Sequence, residues 1–421
     1  MISLLTFAAN AGAIVLTLGA PTDQGAGVDS QSTAALYAST PGGHPALIAR
    51  LGGIAPDGSV FSDIGVPSVS PDGVVVFGAE TRGQDNRPQW NIYRAVPGSH
   101  DLALAFDSSA AAEGCRPVLK FDPYPVAGRG DVIGFVAAEA SGGDAIFRYV
   151  GGHLSCVART GDRTAQGDVV KTFGFGTAQM APGGEIVMLA RVTGRGGPRE
   201  EKSAVAFAEA GSPIREVAIE GQRAPGGGRF SAYFGQPSIV ASRYGTVVAF
   251  SNRDRSGAAI YQSSRGRLSR SFRTGVRTGI GRLSYISDGH PGLIGDGTMV
   301  VRGACGQVSA VFLAKDGELS LVAREGDRTQ FGTRLESFTD PFATATGMVL
   351  LSGHDDLGTR LFTFAQDPAI VAGSLDTAED SGAMPQVFPG SVAADQRGDY
   401  AFLGAPPDSN SPRTADEFLP Q

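Results

Sequence analysis

The sequence is short of charge, cysteine and tryptophan, and each shortage excludes a class of protein. Charged residues make up 18% of the chain, against roughly 25% in ordinary soluble domains. Long helices display charged outer faces, so a helical architecture is excluded. The three cysteines, Cys115, Cys156 and Cys305, stand far apart and form no CxxC pair. This rules out a thiolate zinc site and a disulfide-rich scaffold. At most one disulfide is possible, and the plain expectation is three small buried residues in strands. The single tryptophan, Trp90, weighs against a carbohydrate-processing site, because sugar rings stack on broad aromatic faces. The formal net charge of −7 favours solubility and gives no general attraction to nucleic acid. Beyond the first 20 residues no run is long and apolar enough to span a membrane. No GxSxG elbow, HExxH pair or phosphate loop occurs. The histidines, His44, His100, His153, His290 and His354, are not spaced as metal pairs. Neither a metal nor a cofactor is expected.

Turn formers and internal likeness are abundant. The chain of 421 residues carries 60 glycines and 25 prolines. One recurring piece is a Gly turn followed by a short apolar run: NAGAIVLTLGA from Asn10, SPDGVVVFGAE from Ser70, GRGDVIGFVAA from Gly128 and APGGEIVMLAR from Ala181. Further copies start at Ser242, Ile294, Ala345 and Asp395, eight in all. A second piece alternates with it in seven copies, among them ALYAS from Ala35, NIYRA from Asn91 and AVFLA from Ala310. A third, such as VARTGD from Val157 and VAREGD from Val322, follows the second. A fourth carries aromatics ahead of the next Gly turn, as in FSAYFGQPSI from Phe230.

Four short strands per repeat of about 50–60 residues is the signature of propeller blades. A lone small sheet cannot bury both faces, whereas sheets stacked around an axis cover one another. Runs such as Val74–Ala79 are apolar on both faces and suit a strand packed between two blades. The expected fold is all-β: a single propeller over residues 1–405, with seven four-stranded blades and six or eight as alternative counts. Residues 1–20 read as a first strand in the repeat or as a signal peptide, although no Lys or Arg follows Met1. Strands from both chain ends are expected to share one blade. Residues 406–421 are polar and Pro-rich, and read as a disordered tail.

The stretches at residues 46–80, 156–162, 221–239 and 322–332 combine VARxGD, a Gly-rich turn, a Phe-containing segment with Pro, and a Gly-turn strand. This order resembles a family of bacterial tandem-repeat proteins of unknown function, some of which carry surface anchors. The resemblance implies a propeller-like repeat and export, to the periplasm or beyond the cell. It implies no chemistry.

Each candidate site also has an ordinary structural reading. Asp162 and Asp327 occupy equivalent places in RTGD and REGD. They read as a carboxylate ring for a cation or sugar, or as caps of their own turns. The stretch NRDRSG from Asn252 begins like a calcium loop but lacks the later Glu, which favours a polar hairpin. His354, Asp355 and Asp356 form a compact polar cluster. Arg265, Arg267, Arg270 and Arg273, continuing to Arg277 and Arg282, form a basic stretch with no acidic residue. They are the candidate ligand-binding residues. The expected function is a non-enzymatic, monomeric scaffold for an unknown protein or an anionic polymer. The alternative is a propeller hydrolase or lyase acting on a polysaccharide in the central channel, where Asp162, Asp327, His290 or His354 would converge.

Overall fold

A computed structural model describes residues 34–40, 45–96, 102–107, 118–121, 124–140, 142–194, 200–242, 245–329, 332–343, 347, 349–355, 358–364, 386–387, 393–394 and 400–405. The described residues contain strands and no helix. Seven small antiparallel sheets form a seven-bladed propeller. Blade 1 shows the plan: a split inner strand a (Val60–Ile64 and Ser68–Val69), then b (Val75–Arg82), c (Pro88–Ala95) and outer d (Leu102–Asp107). The a–b turns and c–d hairpins lie on one rim, here the turn rim. The b–c hairpins and the d-to-a links between blades lie on the other, the link rim.

The recurring sequence pieces map directly onto this plan. The Gly-turn piece is strand b, and Gly73 shows why glycine leads it. Its φ is +83°, and its N–H closes the turn onto the Ser70 carbonyl at 2.8 Å, a backbone state that disfavours any Cβ. Alternate residues of b then face opposite neighbours. Val75, Phe77 and Ala79 pack with blade 7, whereas Val76 packs with blade 2. Phe77, Phe135, Phe250 and Phe402 repeat one position of strand b and are all fully buried. Each contributes roughly 1.5–3 kcal/mol of burial.

The inner strand is broken in every blade. Its two pieces pair with opposite ends of b, as Val60–Ile64 and Ser68–Val69 do on Val75–Arg82. In blades 1, 2, 4, 5 and 6 a proline, Pro67, Pro125, Pro237, Pro291 or Pro341, stands just before the second piece. Proline lacks the ladder donor and breaks the strand there. The seven second pieces touch one another in a closed ring around the axis, from Ser68–Val69 through Val126–Ala127 and onward to Ala393–Ala394.

Closure mixes the chain ends as expected. In blade 7, strands c (Ala35–Ser39) and d (Ala46–Arg50) come from the start of the ring, and b (Tyr400–Ala405) comes from its end. Ala35 pairs with Gly404 and Ser39 with Tyr400. The repeat copy at residues 10–20 and the tail at 406–421 lie outside the described residues, as does the question of a signal peptide.

The cysteines depart from the expectation of three buried thiols. Cys305 is free and buried, but Cys156 is disulfide-bonded, and its partner lies outside the described residues. Protein purified without reductant and unfolded in guanidinium is therefore expected to expose one titratable thiol per chain, rising to all three cysteines after reduction. A thiol-reactive dye measures this, and three thiols before reduction would remove the disulfide.

Candidate functional site

The links between blades are built alike. At the end of strand d the chain makes a small hairpin before dropping to the next inner strand. In the link to blade 4, Gly221 N–H donates to the Phe230 carbonyl at 2.8 Å, and Phe230 N–H returns to Gln222 at 3.0 Å. The same pair of bonds joins Gly52 and Gly53 to Phe61, Gly161 and Asp162 to Val170, and Gly326 and Asp327 to Leu335. The RTGD-type aspartates serve this loop. Asp162 Oδ2 accepts the Arg159 N–H at 2.9 Å, and Asp327 Oδ2 accepts that of Arg324 at 3.0 Å. Where the aspartate is replaced, Gln222 Oε1 accepts the Ile219 N–H at 3.2 Å and does the same work. These carboxylates cap turns and do not converge.

Inside each hairpin one residue on either side forms an antiparallel bridge. The bridging pairs are Ile54 with Val60, Arg163 with Val169, Arg223 with Arg229 and Arg328 with Arg334. In the link to blade 5 the pair is Arg277 with Arg282. All these arginines are exposed, whereas the residue next in the hairpin, Ala55, Thr164, Ala224 or Thr329, is buried. Three successive links, to blades 4, 5 and 6, thus place an arginine directly opposite an arginine on one rim. Arg229 donates to the Gly221 carbonyl, and Arg282 donates to that of Gly275 at 2.9 Å. Among the described residues no carboxylate pairs with Arg223, Arg229, Arg277, Arg282 or Arg328.

The four arginines singled out from the sequence are spread over the depth of blade 4. Arg265 sits in the c–d turn with a φ of +50°, and Arg267 begins strand d opposite Ser264. Both belong to the turn rim. Arg270 reaches sideways to the Gly226 carbonyl at 3.1 Å. Arg273 ends the strand opposite Ala259, four residues before Arg277. Arg277 and Arg282 belong to the basic stretch read from the sequence, but their pairing, and the roles of Arg223, Arg229, Arg328 and Arg334, were missed because the equivalence lies in loop topology and not in a shared motif.

The remaining candidates are engaged structurally. Asn252 accepts the Ser231 N–H and donates to the Ser231 and Tyr233 carbonyls, while Asp254 Oδ1 accepts the Ser256 N–H at 2.7 Å. The NRDRSG stretch is therefore a polar hairpin. Asp355 is buried and receives the Thr333 hydroxyl at 2.7 Å, and His354 faces Glu336 at 3.8 Å. Among the described residues no group of three His, Cys, Asp or Glu is placed to hold a metal.

His290 lies at the broken inner strand of blade 5. It is held to the Pro237 carbonyl by Nδ1 at 2.8 Å, which fixes the proton on Nδ1. Arg302 crosses to blade 6, donating from Nε to Asp340 at 3.0 Å and from a terminal nitrogen to Ser287 Oγ at 3.2 Å. Burial lowers the His290 pKa, outweighing the Pro237 carbonyl and Asp340, which both raise it. The folded state thus binds fewer protons than the unfolded one below the ordinary histidine pKa of about 6.5. Stability is full above that pH and is lost as pH falls through the lowered folded value. Urea midpoints measured downward from pH 7 should decline, and His290→Gln should flatten that decline. An unchanged slope would remove His290 as its source.

A cleft of about 440 Å³ opens on the turn rim between blades 4 and 5, lined by Gln262, Ser264, Ser269, Asp296 and Lys315 among others. Two of its charges, Lys315 and Asp296, pair with each other. Lys315 Nζ lies 2.8 Å from Asp296. Burial raises the Asp296 pKa, but bonds from Lys315 and from the Thr298 hydroxyl and N–H outweigh it and bring the value to about 2.

Residues 20–360 match a family of unknown function, DUF7453. The chain belongs to that family. No curated protein matches the sequence significantly. Solved structures align with this chain at low identity and low TM-scores. A putative TolB from Agrobacterium tumefaciens aligns at 10% identity and a TM-score of 0.42, over 89% of this chain and 99% of that one. An oligogalacturonate lyase from Vibrio parahaemolyticus aligns at 10% and 0.48, over 83% and 93%. No helix among the described residues is long and apolar enough to cross a membrane.

Proposed function

We propose that this DUF7453 member is a non-enzymatic scaffold that holds an anionic polymer on the arginine-bearing link rim. One observation carries the reading. Like charges directly opposite in an antiparallel pair destabilise the pair, yet Arg faces Arg in three successive links. Arg229 and Arg282 each donate to a carbonyl of their own hairpin, which accounts for one arginine of those pairs, and a polyanion would account for the arginine opposite, Arg223 or Arg277. The chain also prefers the guanidinium: its only lysines are Lys120, Lys171, Lys202 and Lys315. Arginine's planar fork matches carboxylates and sulfates in pairs of bonds. A disulfide at Cys156 supports an oxidising compartment, such as the periplasm or the cell exterior, in keeping with the export implied by the repeat. The hydrolase or lyase alternative is weaker, because Asp162 and Asp327 cap link turns, His290 lies at the inner strand of blade 5 on the Pro237 carbonyl, and His354 lies in strand Val349–Asp355 of blade 6 facing Glu336.

The test is retention on dextran sulfate across a salt gradient. The triple variant Arg223→Ala, Arg277→Ala, Arg328→Ala should fold normally, since these are surface changes. It should lose about tenfold in affinity, roughly 1.4 kcal/mol, and show a shallower salt dependence. Equal retention of variant and parent, or no retention of the parent, overturns the reading.

A further inference from the structure

We infer that the polymer is an acidic polysaccharide, and that Tyr233 and Tyr285 are its stacking platforms; this rests on the scaffold reading above. Tyr233 is 74% exposed and Tyr285 39%. Single exposed aromatics are common on protein surfaces, but these two belong to one strip. Tyr233 pairs across the strand with Arg253, so both side chains leave the same face of blade 4. The Arg253 guanidinium lies 5.5 Å from the centre of the Tyr285 ring in blade 5, and its terminal nitrogen is 2.6 Å from Asp288. The strip Tyr233, Arg253, Tyr285 therefore bridges two blades on the link rim. Arg229 lies four residues before Tyr233, and Arg282 three before Tyr285.

The tyrosine is presented on a fixed backbone. Tyr233 N–H donates to the Ser231 hydroxyl, and its carbonyl accepts from Asn252. Beneath it Phe230, Phe234, Phe250 and Tyr261 form a packed aromatic cluster. Pre-ordering of this kind lowers the entropy cost of binding.

The chemistry distinguishes among polyanions. The C–H face of a sugar ring stacks on an aromatic face, and its carboxylates or sulfates take arginine forks. Asp288, paired with Arg253, adds an acceptor for sugar hydroxyls. A polyglutamate chain has no flat ring for the tyrosines. Single-stranded nucleic acid also has stacking bases, and oligo-dT is therefore the control that separates it from a polysaccharide. The tyrosines take the place that the near-absence of tryptophan leaves open.

Binding of the full chain to alginate, dextran sulfate, polyglutamate, oligo-dT and neutral dextran is measured at one ionic strength. The expected result is tight binding of alginate, dextran sulfate or both, with the other probes about tenfold weaker or more. The preferred probe of the first two identifies carboxylate or sulfate as the anion read. The double variant Tyr233→Ala, Tyr285→Ala should lose about tenfold for that polymer with an unchanged salt slope, whereas Tyr→Phe at both sites should retain binding. The arginine triple variant flattens the slope instead. If polyglutamate binds as well as the sugars and the tyrosine variant is unaffected, the polysaccharide inference fails and the anionic scaffold stands. Tighter binding of oligo-dT also overturns it. If no polyanion binds, both readings fail.

Discussion

A chain ending at residue 399 is expected to lose cooperative unfolding altogether. The missing strand, Tyr400–Ala405, is the middle of blade 7 and joins strand Ala35–Ser39 to the inner pieces. Its loss removes five cross-strand pairs with Ala35–Ser39 and two with each inner piece, together with the stacking of Phe402 on Tyr37, whose ring centres lie 5.5 Å apart. It also uncovers buried Leu36 and Ala38 on the partner strand and an open sheet edge. Domains are stable by only about 5–15 kcal/mol, and the truncation removes buried area, hydrogen bonds and ring closure together. Calorimetry of the truncated chain should show no sharp transition, against one in the parent. A sharp transition at the parent temperature would mean that the remaining blades hold the ring without this strand.

Phe250→Ala should destabilise the parent by about 3–5 kcal/mol. Phe250 is fully buried. It stacks on Tyr261 at 5.7 Å and meets Phe230 at 6.0 Å and Phe234 at 5.8 Å. Strand b is flanked on both faces by neighbouring blades, so the surroundings have little freedom to collapse into the vacated space. The same cluster underlies Tyr233, and the variant should bind the polymer more weakly even where it remains folded. Urea midpoints report the first effect. A shift of less than about 1 kcal/mol would mean that blades 3 and 4 close over the cavity.

The blade plan was legible because strand b repeats a local rule. A glycine with positive φ opens a run that is apolar on both faces, and SPDGVVVFGAE carries both signals in adjacent residues. The inner strand was harder to read. Its proline break leaves second pieces as short as Ser68–Val69, too brief for alternation to show. The aromatics noticed in that stretch do a different job: Phe61 and Phe230 close the link hairpins from below. The Asp162 reading resolved toward turn capping for a reason the sequence already held, since a glutamine can stand in the same place at Gln222. The arginine pairs could not be seen in advance. Arg223 and Arg229 are separated by six positions and Arg277 and Arg282 by five, so loops of unequal length hide positions that the backbone makes equivalent. The stretch from Arg265 to Arg273 looked like a patch because it is continuous, but a strand that runs from rim to rim disperses it.

The closing blade has one further consequence. Ala35 and Gly404 are direct cross-strand neighbours, so the points where the chain enters and leaves the ring are adjacent, and both open onto the link rim. The order of blades along the gene is therefore one of several that would serve. A circularly permuted chain, spliced across that gap and reopened at the exposed b–c turn around Gln84, would keep every pairing described above. It would also move whatever is attached at the termini from blade 7 to blade 1. The ring itself has no physical first blade; only the tether does.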